Sequence, residues 1–247
     1  MRKVIQRAAN KYCRWRIGQT LPGVLSDLDA YKKKSNTTGT QWITLWMSVK
    51  RILKYQPVAI LESGTGSSTM VLAACVKKLK AENSDYNGRV TSMESVAAWH
   101  AIASENLPEK YREHVEIILG PREKFEMGFF RGYVHSNIPK RNYGFVLLDA
   151  PAFDDDHGLS FCADVFKIMD FVTHPTIHGV VDGRASSVFV LQTLYGPSAA
   201  RYYHSLFAAS FSIPKIDFRD PKNNTPKDWL CTPLGRLVYR KFRSLHG

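Results

Sequence analysis

The chain has 247 residues, 44% of them hydrophobic and 23% charged, enough for one α/β domain with a full core or one domain plus an appendage. No apolar run approaches the roughly 20 residues that cross a bilayer, and the basic N-terminus lacks the apolar stretch of a secretory signal. Four cysteines, at 13, 75, 162 and 231, form no C-x-x-C pair, so reduced thiols in a cytoplasmic protein are the expectation. Of the net charge of +12, residues 1–55 carry +10, from twelve Lys or Arg against Asp27 and Asp29. Such a segment could attract nucleic acid, anionic lipid or an acidic glycan.

In chain order, residues 2–16 suit a helix with Val4, Ile5, Ala8, Tyr12 and Trp15 near one stripe. That stripe is expected to dock on the core; a membrane surface or a phosphate backbone are the alternatives. Leu21-Pro22-Gly23 breaks the pattern, and residues 32–39 read as an exposed loop. Thr40 is placed to cap a helix whose Trp42, Leu45, Trp46, Val49, Ile52 and Leu53 recur at helical spacing, as a core stripe would. The expected division is a basic helical cap over residues 1–56 and a main domain over 57–247.

The main domain opens on a short apolar strand, Val58-Ala59-Ile60-Leu61. It continues as Glu62-Ser63-Gly64-Thr65-Gly66-Ser67-Ser68-Thr69 and then a helix from Met70. Glycines between strand and helix let backbone approach a ligand, and the helix end offers free N–H groups. A dinucleotide fingerprint places its acid about 20 residues after the glycines; here Glu62 precedes them. A second strand ends at Glu94, whose carboxylate could accept two vicinal hydroxyls or favour a helix N-terminus. A helix over 96–107 stops at Pro108. Val115-Glu116-Ile117-Ile118-Leu119-Gly120-Pro121 reads as strand three, and Arg122 follows. Strand four ends at Asp149-Ala150-Pro151, followed by Asp154-Asp155-Asp156-His157. Phe161, Val165, Phe166, Ile168 and Met169 describe a helix. Strand five ends at Asp182-Gly183-Arg184, and a helix over 188–195 follows. Runs at 212–218 and 235–239 read as an antiparallel edge pair.

Glu62-x-Gly64-x-Gly66-x-Ser68 resembles motif I of the class I S-adenosylmethionine (SAM) methyltransferases, with Ser68 in the place of the third glycine. The resemblance covers residues 57–241 and implies a doubly wound, mostly parallel seven-stranded sheet with an antiparallel edge hairpin and five βα units in order. It implies that the loop passes the methionine part of SAM, that Glu62 orients loop and cofactor, that Glu94 takes the ribose hydroxyls, and that Asp149 faces the methyl group. The acid or polar residue that often reads adenine after strand three is replaced here by Gly120-Pro121-Arg122.

Three chemistries are compatible with that frame. Asp149 and Asp182 resemble the carboxylates that hold a divalent cation such as Mg in catechol-type and macrocin-type O-methyltransferases, although Gly183 stands where those families carry Asn or Asp. His157 is a candidate general base, since imidazole titrates near neutral pH. An RNA methyltransferase using the basic N-terminus is the second; Asp149-Ala150-Pro151 matches the cytosine-5 enzymes, but Ala152 and the absence of Cys after strand five remove their covalent mechanism. A non-catalytic SAM-binding protein is the third. The first, with a sugar, glycan or other small-molecule hydroxyl as acceptor, is the expected activity.

Overall fold

The computed structural model describes residues 2–34, 40–127, 130–150, 154–155 and 158–217. His157, Asp156, Cys231 and the strand expected at 235–239 lie outside the described residues. Three helices lead into the sheet: α1 (Arg2–Thr20), α2 (Val24–Lys34) and α3 (Trp42–Tyr55). Gly23, at φ +83°, turns the chain between the first two. Lys32, Lys33 and Lys34 form the last turn of α2 and not a loop, where cations meet the negative end of the helix dipole.

The docked face of α1 differs from the expected one. Cys13 and Ile17, with Leu21 just beyond, are buried, whereas Val4, Ile5, Tyr12 and Trp15 are 68%, 45%, 51% and 56% exposed. The helix runs a full turn past residue 16, so Ile17 joins Cys13 and half-buried Ala9 on a second apolar face at i, i+4, i+8. That face packs on α3.

The chain continues as β1 (Ala59–Ser63), α4 (Ser67–Glu82), β2 (Arg89–Glu94), α5 (Ala97–Asn106), α6 (Glu109–Arg112) and β3 (Val115–Leu119). Next come β4 (Arg122–Met127), β5 (Phe130–His135), β6 (Phe145–Leu148), β7 (Asp154–Asp155), β8 (Gly158–Leu159), β9 (Phe161–Cys162) and α7 (Asp164–Ile168). Last are β10 (Thr176–Asp182), α8 (Ala185–Tyr195), β11 (Ala200–Tyr203) and β12 (Ala208–Pro214). Seven strands form one sheet in the order β3-β2-β1-β6-β10-β12-β11, in which only β12 runs against its neighbours. The doubly wound architecture is therefore the expected one.

Two details depart from the expectation. Among the described residues the edge hairpin is β11 with β12, turned at Phe207 with φ +50°; of the pair expected from the sequence, only residues 212–217 are described. Ala208, Ala209, Phe211 and Ile213 are buried along β12, which places that strand four residues earlier than its sequence signal. The third crossover carries no helix. Instead β4 and β5 form a hairpin, extended by β9 into a small second sheet. Phe125, Phe130, Phe161 and Phe166 pack against one another there. This pulls Phe161 and Cys162 into β9, so the helix expected over 161–169 shrinks to α7.

Side chains alternate across each strand. Ile60, Phe145, Leu147 and Val180 pack on the side of α3 and α4. Leu61, Met93, Val146, Leu148 and Val181 pack on the side of the small sheet and α8. The strand order reverses between β1 and β6, and at that reversal a doubly wound sheet opens a crevice beyond its strand ends.

Candidate functional site

The crevice is floored by the turn from β1 into α4. Gly64 adopts φ +93°, and a Cβ there would lie 2.8 Å from the Ala150 Cβ, so no other residue fits without strain. Gly64 N–H donates to the Met93 carbonyl at 2.9 Å, tying the loop to the end of β2. A Cβ on Gly66 would meet nothing within 4 Å, so the loop borders open space. Gly66 itself caps α4, its N–H donating to Thr69 Oγ1 at 3.0 Å, and Ser67 and Ser68 lie inside the first helical turn.

Glu62 is wholly buried beneath this loop. Its register partner across β2 is Ser92, and Thr69 stands one helical turn above; both hydroxyls donate to Glu62 Oε2 at 2.6 Å. Thr69 thus links the carboxylate to the loop backbone. Burial pushes the Glu62 carboxyl up to about 7, against the pull of the Ser68, Ser92 and Thr69 hydroxyls. Glu62 Oε1 has no partner among the described residues.

Glu94, at the end of β2, is only 4% exposed. Its Oε1 accepts the Ser95 and Val96 N–H groups at 2.7 and 2.8 Å, and its Oε2 accepts the Thr65 N–H at 3.4 Å. Each oxygen keeps one bonding direction to spare at most, and the group is fixed in place.

Asp149 and Asp182 follow from register. Val181 pairs with Leu148, so the next residues, Asp182 and Asp149, sit side by side and point to the α3 face. The N-terminal end of α3 meets them. Thr40 Oγ1 donates to Asp149 Oδ2 at 2.7 Å and Thr44 Oγ1 to Asp182 Oδ1 at 2.5 Å. Thr40 therefore does not cap α3, whose N-cap is Gln41. The Arg184 guanidinium lies 4.0 Å from Asp149 Oδ1 and donates to the Asp149 carbonyl. Burial and then the neighbouring Asp182 hold the Asp149 carboxyl well above the usual range; burial raises Asp182 as well. Still, 21% of the Asp149 side chain remains exposed, so the pair is reachable from the crevice.

The expected metal site does not fit this geometry. Hydroxyls and a guanidinium surround the two carboxylates, and no cluster of three His, Cys, Asp or Glu is placed to hold a cation among the described residues.

A third buried carboxylate was not anticipated from the sequence. Asp164, on the opposite face of the sheet, accepts Ser63 Oγ at 2.6 Å, His135 N–H at 2.8 Å and His135 Nδ1 at 2.7 Å. Burial alone would raise its pKa, but His135 and these bonds outweigh burial and hold Asp164 below the usual range. Burial disfavours a charged His135; Asp164 overrides that and raises it.

Glu62, Gly64, Gly66, Ser68, Glu94, Asp149 and Asp182 thus gather at one rim of the sheet. Sequence reasoning passed over Thr40, Thr44 and Arg184 as members of the site; Thr40 lies just ahead of α3, and no local signal marks the two threonines.

No protein-family model matches the sequence, and comparison with curated proteins finds no match. Solved structures do resemble the fold. The O-methyltransferase TomG of Streptomyces achromogenes, involved in tomaymycin synthesis and solved with SAM, is 14% identical with a TM-score of 0.54, over 85% of this chain and 99% of TomG. A Staphylococcus aureus protein assigned as a caffeoyl-CoA O-methyltransferase is 16% identical with a TM-score of 0.53, over 83% of this chain and 98% of that one. At these identities the likeness is one of fold: the chain has the fold of the class I SAM-dependent O-methyltransferases.

Proposed function

We propose that the chain is a SAM-dependent methyltransferase whose acceptor is a hydroxyl of a small molecule, a sugar or glycan in first place. The carrying observation is the meeting of the Gly64–Gly66 loop, Glu94 and Asp149 at the crevice where the strand order reverses. The open space beyond Gly66 and the unpartnered Oε1 of Glu62 fit a bound cofactor with a charged amino end. SAM, when bound, supplies an electrophilic methyl group on a sulfonium.

The loop backbone would lie along its methionine part, and Glu94, fixed by three N–H groups, would receive the ribose hydroxyls. Asp149 and Asp182 do the acid–base work. The pair would receive the proton that an acceptor hydroxyl gives up when it is methylated. A carboxylate whose proton affinity is raised by burial and a like-charged neighbour is a better base than an exposed one. Arg184 would steady the negative charge that remains.

Titration calorimetry with SAM and S-adenosylhomocysteine tests the cofactor half. Binding by the wild-type chain should weaken about tenfold or more in Glu94→Ala, which removes charge-assisted contacts of roughly 1.5–3 kcal/mol. Gly64→Ala, which must displace Ala150, should weaken it too. A folded wild type that binds neither ligand would remove the proposal.

A further inference from the structure

Helix α1 has two apolar faces, and among the described residues only one is packed against the fold. Around the helix, Val4, Ile5, Ala8, Tyr12 and Trp15 fall within an arc of about 100°, opposite Cys13 and Ile17. Cys13 and Ile17 are buried against α3, while all five of the others are exposed. Four of them are large apolar or aromatic side chains facing outward from a single helix.

The borders of that stripe are cationic. Arg7 and Lys11 line one side and Arg16 the other, all on a helix without a single acid. The Arg16 guanidinium sits 5.9 Å from the Tyr12 and Trp15 ring centroids and 5.0 Å from that of Trp46. Tyr12 also lines a groove of 550 Å³ between α1, α3 and the β11–β12 edge. The groove carries Lys50, Arg51 and Lys54 and no acidic side chain. A second set of cations therefore continues the basic border from α1 onto α3.

We propose that α1 lays this stripe on an anionic lipid surface, with Val4, Ile5, Tyr12 and Trp15 among the upper acyl chains and the flanking bases at the headgroups. No helix is long and apolar enough to cross a membrane among the described residues, so α1 lies along the interface. Trp and Tyr favour that depth, and Arg and Lys reach from it to phosphates. A nucleic acid would want the cations on the face itself, whose centre here is apolar. A second copy meeting the same stripe about a two-fold axis would bring like charges together at the borders.

The test is co-sedimentation of the full chain with vesicles of phosphatidylcholine alone and with added phosphatidylserine. The chain should pellet with the anionic vesicles and detach as salt is raised. Val4→Glu/Trp15→Glu should lower partitioning by about tenfold or more while keeping the wild-type melting temperature, since both positions are exposed. Lys50→Glu/Lys54→Glu should lower it less. Should the first variant fail to fold, Arg7→Glu/Lys11→Glu tests the charged border and should also release the vesicles. Wild type that ignores anionic vesicles at low salt overturns the proposal, as does undiminished binding by the stripe variant. So does wild-type self-association that the stripe variant abolishes, or single-stranded RNA competing for the same residues.

Discussion

Two pairs of buried ionisable groups lie on opposite faces of one sheet, within a few residues of the same strand ends. Asp164 has a cationic partner and three donors, from Ser63 and His135, and its charge is held. Asp149 is buried beside another carboxyl, Asp182, whose effect outweighs that of Arg184, and its charge is resisted. Burial is common to both, so the partner decides the sign. The Asp164 pair behaves as structure, pinning the β4–β5 hairpin to the end of β1. The Asp149 pair stores a proton affinity that structure alone would not need, and it opens to the crevice.

The largest effect should come from Asp164→Asn. It leaves the buried His135 imidazole without its counter-charge, and loss of one member of such a pair costs about 3–5 kcal/mol. Urea unfolding at pH 6 should show it. Asp164 is depressed in the fold, so its contribution is present above about pH 4 and is lost as pH falls through the lower folded value. His135 is raised, so its contribution is present below about pH 6.5 and is lost as pH rises through the folded value. A variant as stable as wild type across that window would erase the distinction between the two pairs.

Asp182→Asn should act in the opposite direction. Carboxyls raised in the fold cost nothing below about pH 4; the penalty grows above it, as the unfolded chain ionises and the folded pair resists. Replacing one of them should stabilise the protein by about 1–2 kcal/mol at pH 8 and by less at pH 5. Parallel unfolding curves at the two pH values measure this. A loss of stability at pH 8 would mean that Arg184, not the second carboxyl, sets the energy of the pair.

The same contrast explains what could be read from the residues in order. Glu62, Gly64, Gly66 and Glu94 sit in one strand–helix–strand unit, where a local pattern fixes both structure and position. Asp149 and Asp182 were legible as strand ends, because parallel neighbours in register must place their last side chains together. Thr40 and Thr44 act across 109 and 138 residues, and nothing local marks a threonine for such a distant partner. The β4–β5 hairpin did carry a signal, Phe125 and Met127 against Phe130 and Val134 at alternate positions, beneath the expectation of a crossover helix. In α1 periodicity found a stripe correctly and assigned it to the wrong side, since a helix with two apolar faces does not say which one the fold will cover.

The smallest effect belongs to the threonines, and it bears most directly on chemistry. Thr40→Val removes a hydroxyl that donates to Asp149 at 2.7 Å, and Thr44→Val does the same to Asp182. Volume and shape barely change, so the fold should tolerate both. Each lost donor disfavours the ionised carboxylate and raises its proton affinity further, by about half a unit to one unit. The proposed base must be ionised to accept a proton, so the rising limb of a kcat–pH profile should move to higher pH by that amount, with the plateau nearly unchanged. Cofactor affinity should stay close to wild type, because neither hydroxyl belongs to the Gly64–Gly66 loop or to Glu94. A limb that neither substitution moves would take the acceptor's proton away from this pair and shift the search for the base to His157.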